Sequence, residues 1–169
     1  IEKKRKLTES EAKIFIAVAL DVGVGIDGGN VFYGNIGSNE HMANTVIGDN
    51  VNSASRLEGL TRIYHLPVIV SEYIKDEVLQ ETARFKFFEI DTVQVKGKTL
   101  GKKIYFPFDT NEMDNALLAN YNLFEEGLQA YYSGDWKSAR KNFKNADLPE
   151  LTEVFMERMG NKGAPEGWN

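Results

Sequence analysis

Residues 45–61 read TVIGDNVNSASRLEGLT, and this stretch predicts that a helix of about sixteen residues follows TVIGD. Asp49 is the expected N-cap of that helix, because an aspartate carboxylate accepts hydrogen bonds from the first free amides. Asn52 and Arg56 are four residues apart, so they project from one helix face near its start, where amides and dipole favour an anion. The alternative is an ordinary capped helix whose Arg56 pairs with a surface carboxylate.

The sequence just upstream, residues 22–37, reads VGVGIDGGNVFYGNIG. Its two β-rich runs flank Asp27-Gly28-Gly29-Asn30, which predicts a β-hairpin because Asp-Gly and Gly-Gly tolerate positive φ. A polar loop is expected at 38–44, before TVIGD. Asp21 and Asp27 are candidate metal carboxylates, although for Asp27 we favour the alternative role of capping the Gly-Gly turn.

Gly23, Gly25 and Gly28 in this stretch match the dinucleotide-binding pattern GxGxxG. That site requires a helix to open at the third glycine, so that the helix N-terminus receives a pyrophosphate. Here the pattern continues as a strand instead. We therefore interpret these glycines as residues of a tight hairpin that permit close backbone packing.

Alternating helices and strands extend over the first 109 residues and predict an α+β fold. Thr8 and Glu11 form a capping-box pattern at the start of a helix. Further elements are a buried strand VIV, a helix capped by Ser71, and strands near 85–95 and 103–108. A cationic turn at 96–102, KGKTLGK, joins the last two strands, and its Lys96 and Lys98 suit phosphate oxygens or are simply solvated.

Beyond Asp109 the composition changes to an all-helical pattern, so we predict a domain boundary between 1–109 and 110–169. Residues 123–146 have tetratricopeptide-like spacing, with Gly127, a Gly134-Asp135 turn and small or aromatic residues along the second helix. A third helix, PELTEVFMERM, is expected to cover the apolar face that one such unit leaves open. The final NKGAPEGWN is interpreted as a tail.

The composition of the 169 residues excludes several classes of protein. With 42% hydrophobic and 27% charged residues, the chain is neither wholly disordered nor fibrous. The absence of cysteine excludes disulfides and thiolate metal sites, and it suits a reducing cytoplasm. A net charge of -5 argues against nucleic acid as a partner but leaves room for a local cationic pocket. The longest apolar run, residues 14–20, is too short to span a bilayer.

Three motifs carry a family resemblance: GIDGGNVFYGNIGS, then TVIGDNVNSASRLEGLT, then VKGK before IYF. In this order and spacing, residues 22–106 resemble the second half of a class III adenylate/guanylate cyclase catalytic domain. The resemblance implies a ferredoxin-like cyclase fold whose early strands are missing here, followed by a small helical extension. The C-terminal segment ending in PEGW also resembles an extension that follows some bacterial cyclase domains.

The resemblance implies conversion of ATP, less favourably GTP, to a 3′,5′-cyclic nucleotide and pyrophosphate in a signalling pathway. By position in the motifs, Asn52 orients the ribose and Arg56 stabilises charge at the α-phosphate. Lys96 contacts the triphosphate, with Lys98 as a near alternative, and Thr45 reads the purine. Asn44 stands where the family often has an aromatic residue.

The resemblance also implies a cofactor and a dimeric assembly. Two divalent ions, Mg²⁺ or Mn²⁺, are held by aspartates on upstream strands, and no metal ligand is assigned in this chain. A homodimer with head-to-tail composite sites is expected, and the helical extension supports the dimer or docks a protein partner. Because the chain starts at Ile1, we expect a fragment that is inactive alone. The complete protein is expected to be cytoplasmic or tethered to a membrane through upstream segments. The competing hypothesis is a non-enzymatic pseudo-cyclase or scaffold module.

Overall fold

The computed structural model describes residues 22–38, 41–94, 101–112 and 114–168, so the helix predicted near Thr8 lies outside the described residues. In the described residues up to Asp109 the elements are β1 (Val24–Ile26), β2 (Phe32–Ser38), β3 (His41–Ile47), α1 (Asp49–Tyr64), β4 (Val68–Ser71), α2 (Glu72–Glu81), β5 (Phe85–Gln94) and β6 (Gly101–Asp109). Three helices follow: α3 (Asn115–Tyr132), α4 (Trp136–Asn145) and α5 (Pro149–Met159). In the described ranges no helix is both long and apolar enough to cross a membrane.

The main sheet has the strand order β1-β4-β6-β5. β1 runs parallel to β4, whereas β6 is antiparallel to both β4 and β5. The parallel pair requires a crossover connection, and α1 is the helix within it. The mixed sheet with its helices confirms the predicted α+β class.

The predicted hairpin around Asp27 is wrong. β1 pairs with β4, and the Val24 amide donates to the Pro67 carbonyl at 2.9 Å. β2 instead pairs with β3 in a separate two-stranded sheet, so part of the predicted polar loop at 38–44 is also strand. The Gly-rich turn therefore leads from one sheet to another, because β1 finds its hydrogen-bonding partner far along the chain.

Helix α1 follows β3 after a single residue, Gly48. This glycine is the N-cap and makes no side-chain hydrogen bond, so Asp49 is the first helical residue rather than the cap. An acidic side chain there still suits the positive end of the helix dipole. The predicted cap of α2 is confirmed, because the Ser71 hydroxyl accepts a hydrogen bond from the Ile74 amide at 3.4 Å.

Glycines in β1 allow α1 to lie directly on that strand. A Cβ added to Gly25 would overlap the backbone of Ala54, Leu57 and Glu58, and one added to Gly23 would overlap the Thr61 side chain. The interpretation of these glycines as close-packing residues is therefore confirmed. No helix opens at Gly28 in the described residues, since the chain there turns into β2.

The three C-terminal helices form a compact layer, as the sequence predicted. Gly127 of α3 faces the Phe143 ring of α4, where a Cβ would approach the ring within 2.7 Å. Phe155 of α5 packs against both helices, with ring-centroid distances of 5.7 Å to Phe124 of α3 and 5.2 Å to Phe143 of α4. The third helix therefore buries the face that the first two leave open.

The C-terminal residues are packed rather than a free tail. The Trp168 indole N–H donates to the Tyr131 carbonyl at 2.9 Å. Its ring meets those of Tyr131 and Trp136 edge-on, at 5.3 and 5.0 Å. The sequence pattern missed this because small and polar residues surround a single anchoring aromatic residue.

Aromatic stacking joins the helical layer to the sheet. The Tyr121 ring of α3 stacks on Phe88 of β5 at 4.5 Å and on Phe106 of β6 at 5.6 Å. All three side chains are buried and belong to the hydrophobic cluster that also contains Leu57 of α1. The apolar contacts between sheet and helices therefore continue into α3.

Gly25→Ala is expected to lower the free energy of unfolding by roughly 3 kcal/mol, because the methyl group forces the α1 backbone away from β1. The matched control is Gly34→Ala, whose Cβ meets no atom within 4 Å and whose effect should stay within about 0.5 kcal/mol. Urea unfolding followed by circular dichroism measures both. Equal stability of the two variants would contradict the close approach.

Candidate functional site

Asn52 and Arg56 are both exposed on α1. Asn52 immediately precedes Ser53, and Arg56 immediately precedes Leu57. Ser53 and Leu57 belong to the buried stripe of the helix, and this stripe faces the sheet. One residue is about 100° around a helix, so the two polar side chains lie at the edge of the packed face. The predicted shared face is thus present, and it is open to solvent.

Thr45 lies on β3, immediately before the turn into α1. It is half-buried and pairs with Gly34 across the hairpin. The neighbouring Asn44 amide donates to the Tyr33 hydroxyl at 2.6 Å. Because Gly48 alone separates β3 from α1, one strand–turn–helix unit carries Thr45, Asn52 and Arg56.

A cavity of about 280 Å³ lies beside Arg56, between α1 and the adjoining ends of β5 and β6. Leu57 and Leu60 line it from the helix, and the strand residues that line it include Val93, Gln94, Lys102, Lys103 and Ile104. These strand ends flank residues 95–100. Lys96 and Lys98 themselves lie outside the described residues.

Two lysines of β6 add positive charge near Arg56, although the sequence interpretation did not single them out. Lys103 donates to a Glu89 carboxylate oxygen at 2.7 Å. The Lys102 ammonium lies 3.7 Å from a carboxylate oxygen of Asp27. In the sequence, these two lysines continue the cationic turn into the following strand. Successive residues of a strand point to opposite faces, so Lys102 and Lys103 reach different carboxylates.

Asp27 caps the turn after β1, as preferred from the sequence. Its Oδ1 accepts a hydrogen bond from the Gly28 amide at 2.9 Å. Burial of this side chain by itself raises the pKa of the carboxyl. Hydrogen bonding from Ser53, Ser71 and Gly28 and the charge of Lys102 outweigh burial, and they hold the pKa of Asp27 below its usual range. Asp27 is therefore a buried, ionised residue of the turn.

The described part of the chain does not itself form a divalent-metal site. Within the described ranges, no group of three His, Asp or Glu side chains is placed to hold a metal ion. Asp21, the other candidate carboxylate, lies outside them. Around the cavity the described residues provide apolar side chains, the Arg56 guanidinium and two lysines that are paired with Asp27 and Glu89.

Comparisons with known proteins show what the chain is similar to. Residues 4–109 match the model of the adenylate and guanylate cyclase catalytic domain. The chain is 28% identical over 128 residues to "Adenylate cyclase, terminal-differentiation specific" of Dictyostelium discoideum. It is 40% identical over 87 residues to an adenylate cyclase of Anabaena cylindrica. These matches cover 75% and 51% of this chain but only 6% and 17% of the two relatives.

Two solved structures are also similar to the chain. A bacterial light-regulated adenylyl cyclase is 32% identical with a TM-score of 0.44, over 50% of this chain and 23% of the other. The adenylyl cyclase CyaB from P. aeruginosa is 27% identical with a TM-score of 0.43, over 52% of this chain and 42% of the other. Since the family model matches more than half of the sequence, the chain belongs to the adenylate and guanylate cyclase catalytic-domain family.

Proposed function

We propose that this chain is the nucleotide-binding part of an adenylate cyclase, which converts ATP, less favourably GTP, to the 3′,5′-cyclic nucleotide and pyrophosphate. The observation that carries the proposal is the exposed pair Asn52 and Arg56 on one helix face, with Arg56 lining a cavity that Lys102 and Lys103 also line. A cationic, hydrogen-bonding surface suits a polyphosphate. The adenylate cyclases among the relatives support ATP as the substrate.

The reaction needs stabilisation of negative charge. The ribose 3′-oxygen loses its proton and forms a bond to the α-phosphorus, while the bond from that phosphorus to the oxygen of the β-phosphate breaks and pyrophosphate departs. Charge accumulates on the α-phosphate oxygens and the leaving group. We assign Arg56 to stabilise that charge and Asn52 to orient the ribose for in-line attack.

The remaining predicted residues are assigned to the base and the triphosphate. Thr45 has a hydroxyl that both donates and accepts a hydrogen bond, which suits a purine edge. Lys96, with Lys98 as the alternative, is assigned to the triphosphate. The cavity beside Arg56 supports this assignment, because the strand ends Gln94 and Lys102 that line it flank the segment carrying both lysines.

We further propose a homodimer with head-to-tail composite sites. The β2–β3 hairpin supports an interface, because it exposes large apolar side chains, including Phe32, Tyr33 and Met42, which are 82%, 71% and 63% exposed. The divalent Mg²⁺ or Mn²⁺ ions of the family are then held by aspartates outside the described residues. The cytoplasmic location and the domain boundary after Asp109 stay predictions.

Arg56→Ala in the full-length protein is expected to lower kcat by roughly two to three orders of magnitude, as loss of a preorganised donor commonly does, with a smaller change in KM. The matched control is Arg62→Ala on the same helix. Arg62 is exposed and pairs with Glu58 at 2.7 Å, so its loss should leave turnover unchanged. Equal activity of folded Arg56→Ala and Arg62→Ala would contradict the assignment.

Thr45→Ala should change the ratio of kcat/KM for ATP to that for GTP by roughly tenfold or more, because a base-edge hydrogen bond is lost. Steady-state assays with both nucleotides measure the ratio. Asn35→Ala, at an exposed position on the neighbouring strand β2, is the control. Equal losses for ATP and GTP in Thr45→Ala would remove Thr45 from base recognition.

Residues 1–169 alone are expected to make no cyclic nucleotide, even with Mg²⁺ or Mn²⁺ present. The aspartates that hold these ions are assigned outside the described residues, and positioned cations contribute several kcal/mol to such chemistry. Mixing the chain with a full-length subunit that carries Arg56→Ala should restore product through one composite site. Product from 1–169 alone would contradict the proposal. The alternative, a pseudo-cyclase or scaffold, predicts nucleotide or partner binding without turnover even in the full-length protein.

A further inference from the structure

A polar cluster around one buried carboxylate connects the C-terminal helices to α1 and the sheet, with a partly exposed arginine, Arg158, on its outer side. The Asp91 carboxylate of β5 lies at its centre, with its side chain 4% exposed. Arg158 of α5 contacts one carboxylate oxygen through Nη1 at 2.5 Å, and the Tyr64 hydroxyl donates to the same oxygen at 2.5 Å. Arg158 Nη2 also donates to the Tyr64 hydroxyl at 3.0 Å. Three elements distant in sequence therefore meet at one carboxylate.

The charges and hydrogen bonds of this cluster are satisfied only when all three side chains are present. The other Asp91 oxygen accepts hydrogen bonds from the Thr92 amide at 2.7 Å and the Tyr132 hydroxyl at 3.4 Å. Burial raises the pKa of Tyr64, and the adjacent Asp91 charge raises it further, so the hydroxyl keeps its proton and donates. Removing Arg158 leaves a buried carboxylate without its cation, which is a large perturbation.

The position of Tyr64 makes this cluster relevant to Asn52 and Arg56. Tyr64 is the last residue of α1 and is 1% exposed, whereas Arg56 lies eight residues earlier, about 12 Å along the helix axis. The α1 backbone also rests on Gly25 of β1, at Ala54, Leu57 and Glu58, within the turn that carries Arg56. The Gly25 contact sets the depth of α1 against β1, and the cluster at Tyr64 holds the C-terminal end of the helix, so the two contacts together set the direction of the helix axis.

We propose that Arg158, Asp91 and Tyr64 are positioning residues, through which the C-terminal helices hold α1 in the orientation that presents Asn52 and Arg56 to the nucleotide. This inference rests on the proposed function of α1. It gives the helical extension a role in turnover that is separate from dimerisation or partner docking. The cluster also explains why α5, the most distant helix in sequence, contacts the helix that carries the site.

Kinetics of Arg158→Met and Tyr64→Phe in the full-length protein test the inference. Each variant should lower kcat roughly tenfold with less than about a twofold change in KM for ATP, because a small misalignment of a positioned group slows chemistry more than binding. The double variant should be little worse than either single one, because both remove the same linkage. Arg158→Lys should recover part of kcat, since it restores the charge.

Arg84→Met is the matched control. Arg84 pairs with Asp109 at 2.6 Å, which links the outer ends of β5 and β6, and neither residue belongs to the contacts of α1. Its loss should leave kcat unchanged. Wild-type kcat in folded Arg158→Met and Tyr64→Phe, or an equal loss in Arg84→Met, would overturn the inference. If Arg158→Met does not fold, Tyr64→Phe decides, since it removes only one hydroxyl.

Hydrogen–deuterium exchange separates this inference from the proposed function. In Arg158→Met and Tyr64→Phe, backbone amides of residues 53–60 should exchange at least about threefold faster than in wild type and in Arg84→Met. Faster exchange confined to residues 61–66 would overturn the coupling. A wild-type protein that forms no cyclic nucleotide would refute the proposed function, and the exchange rates at 53–60 would still decide whether the cluster positions α1.

Discussion

The close approach of α1 to β1 is the contact on which the candidate site depends. Without a Cβ on Gly25, the helix backbone lies against the strand, and the stripe that includes Leu57 and Tyr64 enters the core. That seating fixes the rotation of the helix about its own axis. Asn52 and Arg56, one position away from the buried stripe, are thereby left at the exposed edge of the helix, and Arg56 lines the cavity. A small helix–strand separation thus determines which polar groups meet a ligand.

The C-terminal helices contribute to the same packing. Tyr121 stacks on two phenylalanines of the sheet, and Arg158 reaches the carboxylate that also holds Tyr64. An ion pair with one partner exposed and one buried gives little net stability, but the geometry it requires is specific. The apolar contacts supply most of the stabilisation between the two layers, whereas the polar cluster specifies how α5 meets α1.

Three cationic side chains meet at one cavity of an acidic chain. The net charge is -5, yet Arg56, Lys102 and Lys103 all line this cavity. Lys102 and Lys103 are paired with the carboxylates of Asp27 and Glu89, which offset part of this positive charge. Net charge therefore describes the chain as a whole, while the local potential depends on which charges are paired nearby.

Local patterns in the sequence determined much of this structure. The helix after Asp49, the Ser71 cap, strands β5 and β6 and the three C-terminal helices follow from periodicity and capping, which act over a few residues. The motifs also identified the family, and they named Asn52 and Arg56 before any geometry was known. Only the tertiary structure decided that β1 pairs with β4 rather than β2, that Trp168 anchors the C-terminal residues, and that Arg158 meets Tyr64. Such contacts join residues far apart in the chain, and their partners are selected by competition for burial and hydrogen bonds that no local pattern records.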